Sequence, residues 1–260
     1  MTCHVSLVIP HFNESGRLTL MESGLVEFAK ASKDLIIEIL LVDDGSSDET
    51  LIGLKAIAGE FSSKHQIEAD RFRLRAIGLS RNSGKGAALQ RGVAAAQGNR
   101  ILTLDADMAA RPIEILNWQK AGKLDLRTPP DNTTYIGSRE HPESNVTDKG
   151  SRRIMGRVFN LITRKLSGLD LHDTQCGFKL YPAPLAKQVF ESLFHLGWAH
   201  DVEVLMRLQR TGSIIESMPV SWTAIEGSKI SPLSDAWKMF CALLEIRATL
   251  KKENASKKIP

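Results

Sequence analysis

Two carboxylates separated by one residue, Asp105 and Asp107, carry the strongest chemical signal in this 260-residue sequence. They directly follow the apolar run of residues 101–104, which predicts a buried strand that ends at this pair. Carboxylates placed in this way can share a hard cation, since Mg²⁺ and Mn²⁺ take carboxylate ligands and complete their shell with substrate phosphates. A polar junction between a strand and a loop has the same composition, so the pair alone leaves both interpretations open.

A second acidic group, in the run Asp43-Asp44-Gly45-Ser46-Ser47-Asp48, follows the apolar stretch at residues 36–42. An aspartate at the end of a strand can accept hydrogen bonds from a nucleobase or a ribose. The same residues also suit a turn and a helix cap, for which Ser46 or Ser47 qualifies. The presence of two acidic strand ends in one chain favours a binding site at both.

A glycine-rich segment, Arg81-Asn82-Ser83-Gly84-Lys85-Gly86, offers backbone amides and a lysine to an anion. Its spacing is not that of a P-loop, because Ala87 follows Gly86. The sequence also lacks the GxSxG and HExxH patterns, and no GxGxxG follows the first predicted strand. Serine hydrolysis, zinc proteolysis and dinucleotide-dependent oxidation are therefore disfavoured.

The elements that must hold these residues alternate between strand and helix in the first half of the chain. Apolar runs predict strands at residues 5–10, 36–42 and 101–104, and residues 72–79 are interpreted as a further strand. Helical patterns fall between these strands at 18–31, 49–61 and 86–97. Unbroken apolar strands that alternate with helices predict an α/β, Rossmann-like fold with a mostly parallel sheet flanked by helices. Ligands of such sheets bind beyond the carboxyl ends of the strands, where both acidic groups are expected.

The second half of the chain is less regular. Its predicted elements are strands at residues 135–138, 178–181 and 214–222, and helices at 149–167, 201–210 and 232–250. The basic tail at residues 251–260 is expected to be frayed and flexible. No internal repeat or linker is found, which predicts a single domain over residues 1–260.

The composition is that of a globular protein, with 42% hydrophobic and 25% charged residues. Three scattered cysteines without a CxxC pattern argue against a disulfide scaffold and a zinc module. No run of 18 uncharged apolar residues predicts a transmembrane helix, and no signal peptide is recognised at the N-terminus.

The positive charge is concentrated in one segment, residues 149–168, which holds six basic residues and no acid. Subtracting these six from the formal net charge of +4 leaves −2. On a helix, one face would carry Met155, Val158, Phe159, Ile162 and Leu166, and the opposite face Arg153, Arg157 and Arg164. An ordinary surface helix explains the apolar stripe, whereas a helix lying on an anionic membrane also explains the missing acids. Nucleic acid is disfavoured because no aromatic residues are interleaved with the arginines.

These motifs together resemble the inverting family 2 glycosyltransferases of GT-A fold. The opening Pro10-His11-Phe12-Asn13-Glu14 is similar to their P-x-Y/F-N-E, the run from Asp43 to D-D-G-S-x-D, and Asp105-Ala106-Asp107 to their D-x-D. Among the members, the dolichyl-phosphate β-glucosyltransferases match best and the mannose synthases less well. The segments that carry this finer resemblance are Gly137-Ser138-Arg139, D-T-Q-C-G-F-K-L from Asp173, W-A-H-D-V-E from Trp198 and W-T-A-I-E-G-S-K from Trp222.

The resemblance implies metal-dependent transfer of glucose from UDP-glucose to a polyprenyl (dolichyl) phosphate, with Mg²⁺ or Mn²⁺ as cofactor. By position it places Pro10, Phe12, Glu14, Asp43, Asp44, Lys85 and Ala106 at the donor. Asp105 and Asp107 would hold metal and diphosphate, Lys229 would neutralise phosphate charge, and the acceptor phosphate would meet Arg139, Arg152 and Arg153. It also implies a donor-binding half at residues 1–125, an acceptor half with amphipathic membrane-interface helices at 126–250, and peripheral attachment to the cytoplasmic face of a membrane.

Two departures from the family pattern bear on these expectations. The N-terminal membrane anchor of the eukaryotic members is not found in this sequence. The mannose synthases place a metal-binding glutamine two residues after D-x-D, where this chain has Ala109, and this weakens a mannose assignment.

The chemistry of the acceptor is compatible with more than one reaction. A phosphate monoester is largely dianionic at neutral pH and can attack the sugar C1 without a protein base. A soluble hydroxyl acceptor would need a base, for which Asp201 occupies the position used by relatives with such acceptors. The sequence is also compatible with a polyprenyl-phosphate mannose synthase using GDP-mannose, and with a silent protein that only binds nucleotide sugar at a membrane surface.

Overall fold

The computed structural model describes residues 3–147, 163–197, 199–225 and 232–256. Its first half follows the alternation that the apolar runs predict. The elements are β1 (Val5–His11), α1 (Leu18–Ala31), β2 (Ile37–Asp43), α2 (Thr50–His65), β3 (Phe72–Gly78), α3 (Lys85–Ala95) and β4 (Arg100–Thr103). The four strands pair in parallel in the order β3-β2-β1-β4, so the carboxyl ends of β1, β2 and β4 meet at one edge.

The second half extends the same sheet. Its elements are α4 (Glu114–Lys120), β5 (Thr133–Ser138), β6 (Asn145–Thr147), β7 (Lys179–Pro182), α5 (Ala183–Glu191), α6 (His200–Arg210), β8 (Ile214–Pro219), β9 (Ser221–Thr223) and α7 (Pro232–Ser256). The seven-stranded order is β3-β2-β1-β4-β7-β5-β8, with β7 antiparallel to both neighbours and the other pairs parallel. This confirms the expected α/β fold with a mostly parallel sheet.

Apolar side chains are buried on both faces of this sheet because residues along a strand alternate between faces. Along β1, Leu7 and Ile9 belong to a core cluster with α1, α2 and α4, whereas Val8 belongs to a second cluster with α3, α5 and α6. In the first cluster the ring of Trp118 packs edge-on against Phe178, with centroids 5.3 Å apart. The core thus fixes the strand ends that carry the polar motifs.

Two predicted elements differ from the structure. The strand expected over residues 214–222 is interrupted at Val220, so β8 joins the main sheet while β9 pairs with β6 in a separate two-stranded sheet. The tail expected to fray from residue 251 instead continues α7 to Ser256. Arg207 on α6 explains this, because its guanidinium donates to both Glu253 oxygens at 3.0 Å.

The basic helix expected at residues 149–167 is described only from residue 163 onward, where it is helical up to 167. Leu166, which the periodicity places on a membrane-facing stripe, packs partly buried against the second core cluster. Arg164 pairs with Asp170 at 2.6 Å, an acid that follows the basic segment. In this last turn the apolar side therefore packs against the protein core, and the interpretation of the segment as a membrane-surface helix stays a prediction. Among the helices that the structure describes, none combines the length and apolar composition needed to span a bilayer.

Candidate active site

Asp44 ties the turn after β2 to the turn before α3. Its two carboxylate oxygens accept the backbone N–H groups of Ser83 and Gly84, each at 2.8 Å. Gly84 has a φ of 101°, which a residue with a side chain rarely adopts. Because both of its oxygens are engaged, Asp44 positions the glycine-rich segment against the sheet edge.

Asp43, by contrast, has one oxygen without a partner. Its Oδ2 accepts the N–H of Ser46 at 3.1 Å, whereas its Oδ1 is buried and has no hydrogen-bond partner among the described residues. A buried acceptor in this state costs free energy unless a donor reaches it. The site therefore presents one open carboxylate acceptor at the end of β2.

His11 lies beside Asp43, directly opposite it in the parallel register of β1 and β2. Its Nδ1 lies 2.9 Å from the carbonyl oxygen of Ile9, to which it can only donate, so Nε2 carries the lone pair when the ring is neutral. Burial lowers the pKa of His11 to about 4, although the Ile9 carbonyl and Asp43 act in the opposite direction. The ring is thus neutral at physiological pH.

This burial predicts a pH dependence of folding. His11 has a folded-state pKa below its ordinary value of about 6.5, so its contribution to stability is complete above pH 6.5 and is lost as the pH falls toward 4. The loss should reach about 3 kcal/mol. Urea unfolding of His11→Asn between pH 7 and 4.5 should show a smaller fall in the free energy of unfolding than the unsubstituted protein. The exposed His172→Asn is the matched control and should keep the full fall.

The loop after β1 is held against the loop after β2. Asn13, with a φ of 54°, donates its N–H to Ser46 Oγ and accepts the N–H of Ser47 on its side chain, both at 2.9 Å. These bonds explain why the predicted serine cap is wrong. The carboxylate of Asp48 instead accepts the N–H of Thr50, where α2 begins, at 3.0 Å.

Three residues at the end of β1 and in the loop that follows it are expected to bind the sugar donor, and they differ in solvent exposure. Pro10 is buried in β1, whereas Phe12 is 39% exposed at the sheet edge. Glu14 forms an ion pair with Arg17 at 2.5 Å and donates its backbone N–H to Thr50 at 2.8 Å.

The carboxylates of Asp105 and Asp107 lie in the turn that follows β4. Asp105 is paired with Lys85 Nζ at 2.6 Å, and its side chain remains 38% exposed. Asp107 accepts the N–H of Ala109 at 3.0 Å. Burial and the neighbouring Asp105 charge raise the pKa of Asp107, since two carboxylates close together resist ionising together. A divalent cation would relieve this repulsion, so the pair fits the metal that its spacing predicts.

Gly177 lines the other side of Asp105. A Cβ at this position would lie 2.6 Å from both carboxylate oxygens, so a larger residue would displace the Asp105 side chain from its present position. Its carbonyl accepts the hydroxyl of Thr103 on β4 at 3.0 Å. Among the described residues no group of three or more His, Cys, Asp or Glu side chains suits a metal ion. Protein Mg²⁺ sites at phosphate substrates commonly hold one or two carboxylates.

Lys179 is a buried cation that the sequence analysis missed. It is fully buried on β7, and its Nζ donates to the Asp201 carboxylate and, at 2.6 Å, to the carbonyl of Cys176. Asp201, on the first turn of α6, is also 3.4 Å from His200 Nε2. Burial alone would raise the pKa of Asp201, but His200, Lys179 and Lys85 hold it well below its ordinary value. A lysine within the apolar run F-K-L-Y was the one available signal, because a buried lysine needs an anion.

Arg139 is held by Asp173 in a two-pronged ion pair. Its Nε and Nη2 lie 2.7 and 2.9 Å from the two carboxylate oxygens, and its guanidinium carbon is 5.4 Å from the ring centre of Trp222. Its side chain is 30% exposed. Trp222 bridges to Ala110 and so brings β9 beside the Asp105–Asp107 turn. The expected site residues Arg152, Arg153 and Lys229 lie outside the described residues.

Comparison with known proteins gives three findings. The family model described as glycosyl transferase family 2 matches residues 6–190. The proteins named dolichyl-phosphate β-glucosyltransferase of Homo sapiens and Saccharomyces cerevisiae are 34% and 32% identical to this chain, over 95% and 94% of it and 75% and 74% of their own length. Glucosyl-3-phosphoglycerate synthase of Mycobacterium tuberculosis, crystallised with Mn²⁺, UDP-glucose and phosphoglyceric acid, superposes with a TM-score of 0.62 at 18% identity, covering 92% of this chain and 78% of its own.

Proposed function

Because this chain belongs to glycosyl transferase family 2, and is thus a glycosyltransferase of GT-A-like fold, we propose that it transfers glucose from UDP-glucose to a polyprenyl phosphate. The product would be a polyprenyl β-glucosyl phosphate, formed with inversion at the sugar C1. The relatives named dolichyl-phosphate β-glucosyltransferase support the choice of sugar and acceptor. The observation that carries the proposal is the buried ion pair of Lys179 and Asp201. Asp201 stands where a hydroxyl acceptor would need a base, and its charge is already neutralised by Lys179.

The open acceptor on Asp43 supports a uridine donor. Its Oδ1 is one unpartnered acceptor, since Oδ2 is engaged by Ser46. The uracil ring has a single N–H, whereas the corresponding edge of guanine has both a ring N–H and an amino group. In the proposed complex Pro10, Phe12 and Glu14 line the nucleoside, and Asp44 positions the glycine-rich turn beside it.

The donor diphosphate is proposed to lie at the end of β4. Asp105 and Asp107 would hold Mg²⁺ or Mn²⁺, which supplies electrostatic stabilisation of the departing diphosphate. Lys85 and Lys229 add positive charge on the protein side, and Ala106 provides a small residue between the two carboxylates. Residues 1–125 would thus bind the donor, and residues 126–250 the acceptor.

The acceptor is proposed to be a phosphate because the chain offers no free base at Asp201. A base must take up a proton near the working pH, whereas the pKa of Asp201 is held well below its ordinary value. A phosphate monoester has already lost its protons at neutral pH, having a second pKa near 6. Arg139, Arg152 and Arg153 are proposed to meet this phosphate, with Asp173 and Trp222 holding Arg139 in place.

Asp201→Asn tests this assignment of the nucleophile. With a phosphate acceptor the variant should keep its turnover within about tenfold of the unsubstituted enzyme, whereas loss of a general base would cost about 10²–10⁴-fold. In both proteins kcat/KM should fall below about pH 6, where the acceptor phosphate gains a proton. Steady-state rates between pH 5 and 9 check both expectations.

The measurement needs a correction for folding, since the substitution leaves Lys179 without its anion. Rates are therefore taken per folded molecule, from circular dichroism at the assay temperature. A thousandfold fall in the turnover of Asp201→Asn per folded molecule would contradict the proposal if the fall of kcat/KM below about pH 6 also disappeared. That result would make Asp201 the base and the acceptor a hydroxyl.

The function itself is tested by one transfer assay. Purified protein and Mn²⁺ are incubated with UDP-glucose or GDP-mannose, and with polyprenyl phosphate, the dephosphorylated polyprenol or 3-phosphoglycerate. We expect product only from UDP-glucose with the lipid phosphate. The proton NMR coupling between H1 and H2 of the transferred glucose should show a β linkage. Preference for GDP-mannose would overturn the donor, and transfer to polyprenol or 3-phosphoglycerate would overturn the acceptor.

The lipid acceptor places the protein at a membrane surface in this proposal. The six basic residues between 149 and 168 would attract anionic headgroups, each by about 1 kcal/mol. We propose peripheral attachment to the cytoplasmic face of a membrane, where nucleotide sugars are available.

A further inference from the structure

Lys85 occupies one of the two carboxylates that a divalent cation would need. Its Nζ lies 2.6 Å from Asp105 Oδ1. A lysine side chain carries an ammonium group at neutral pH, so at this distance Asp105 already has a counter-ion.

The backbone that carries Lys85 is fixed on both sides. Before it, the N–H of Gly84 is held by Asp44 at 2.8 Å, and after it the N–H of Gly86 is held by the carbonyl of Leu196 at 2.7 Å. The start of α3 thus cannot move away without breaking both contacts. The ammonium can leave Asp105 only by rotation of its own flexible side chain, which has four carbons between Cα and Nζ.

An ammonium and a divalent cation on the same carboxylate repel each other. At 4 Å two like charges near a protein surface still interact strongly, because the effective dielectric constant is well below that of water. While Lys85 holds Oδ1 of Asp105, a metal at this pair is left with Asp107 and with the other oxygen of Asp105, which lies beside an ammonium. Two carboxylates of which one is already paired with a cation form a weak site for Mg²⁺ or Mn²⁺.

We propose that Lys85 and the divalent cation compete for Asp105, and that a nucleoside diphosphate ends the competition by accepting the lysine. The inference rests on the proposed donor, since a diphosphate supplies the anion to which Lys85 moves. Asp105 then becomes free for the metal, so metal and nucleotide each bind more tightly in the presence of the other. By linkage the two affinities change by the same factor.

The test measures Mn²⁺ binding by the electron paramagnetic resonance of the free ion, with and without UDP and with no acceptor present. In the unsubstituted protein, Mn²⁺ should bind weakly alone and about 5- to 150-fold more tightly with UDP, the usual range for coupled sites. In Lys85→Met, Mn²⁺ alone should bind about tenfold more tightly than in the unsubstituted protein, and the gain from UDP should shrink. Lys85→Arg keeps the charge and should restore weak binding of Mn²⁺ alone.

Lys64→Met is the matched control, because Lys64 forms a similar pair with Glu22 at 2.9 Å on α1 and α2. It should leave Mn²⁺ binding unchanged. Equal Mn²⁺ affinity of Lys85→Met and the unsubstituted protein without UDP would overturn the exchange. If Lys85→Met does not fold, the unsubstituted protein decides, since equal Mn²⁺ affinity with and without UDP contradicts the proposal. Neither readout involves sugar transfer, so a failure of the proposed acceptor or sugar would leave this result unaffected.

Discussion

Asp107→Ala should lower the rate of sugar transfer about 100- to 1000-fold, the cost of removing one preorganised electrostatic contact to a developing charge. Asp107 is one of two carboxylates after β4, and the proposed metal would lose half of its protein ligands. The fold should survive, because the pKa of Asp107 is raised by burial and by repulsion from Asp105. Removal of the charge relieves that repulsion, so the melting temperature should be unchanged or higher.

Initial rates with saturating donor, together with thermal melting, check this prediction. Asp34→Ala is the control, since Asp34 is exposed in the turn between α1 and β2. This turn lies at the amino ends of the parallel strands, opposite the carboxyl ends that carry the site. Near-normal transfer in Asp107→Ala, or full activity of the unsubstituted protein in excess chelator, would remove the metal from the mechanism.

Lys179→Met should destabilise the protein by about 3–5 kcal/mol, the cost of removing one partner of a buried ion pair. The substitution keeps most of the length of the side chain but removes the ammonium, so the buried charge of Asp201 is left beside His200 and the carbonyl of Cys176 loses its donor. Urea unfolding at pH 7 measures the change. Lys187→Met, on the exposed face of α5, is the control and should stay within about 0.5 kcal/mol of the unsubstituted protein.

The double variant Lys179→Met/Asp201→Asn separates the pair from the general loss of packing. Replacing both partners removes the uncompensated charge, so the double variant should be more stable than Lys179→Met alone. The coupling energy from the four proteins should be about 1–3 kcal/mol. Additive effects of the two substitutions would show that Lys179 and Asp201 do not depend on each other.

The glycine-rich turn connects these two predictions to the remainder of the site. Asp44 and the Leu196 carbonyl hold the residues on either side of Lys85, and Lys85 holds Asp105. Leu196 belongs to the loop before α6, whose Phe194 and His195 amides are held by buried Glu203. The two halves of the chain therefore meet at the carboxyl edge of the sheet.

The sequence by itself predicted the first half of the fold closely. Strands β1, β2, β3 and β4 begin and end within one residue of the predicted bounds. For β1, β2 and β4 the reason is that a strand buried on both faces must be largely apolar, whereas β3 is partly exposed and alternates apolar residues with arginines. The same reasoning placed Asp43 and Asp105 at one edge, since the carboxyl ends of parallel strands coincide. These features depend on local pattern, which a sequence displays directly.

Elements whose limits depend on distant contacts were not predicted. The run 214–222 is apolar enough for one strand, but the Trp118 indole donates to the carbonyl of Pro219 at 2.7 Å, and beyond it the chain pairs with β6 instead of β5. The end of α7 was placed too early because Glu253 is held by Arg207, 46 residues away. Neither contact leaves a trace in local periodicity.

The division is clearest among the charged residues of the site. The sequence pattern identified Asp43, Asp44, Asp105 and Asp107 as polar groups at strand ends, and the family resemblance implied Arg139 and Asp201. Only the tertiary structure decided that Asp44 is fully engaged by backbone amides, that Asp43 keeps one open oxygen, and that Asp201 is neutralised by Lys179. The physical reason is that the partners and the burial of a charged side chain decide whether it is free to bind a ligand or a proton. For Lys179 and Asp201 those partners lie 22 residues apart in the chain, and they meet only when β7 and α6 pack together.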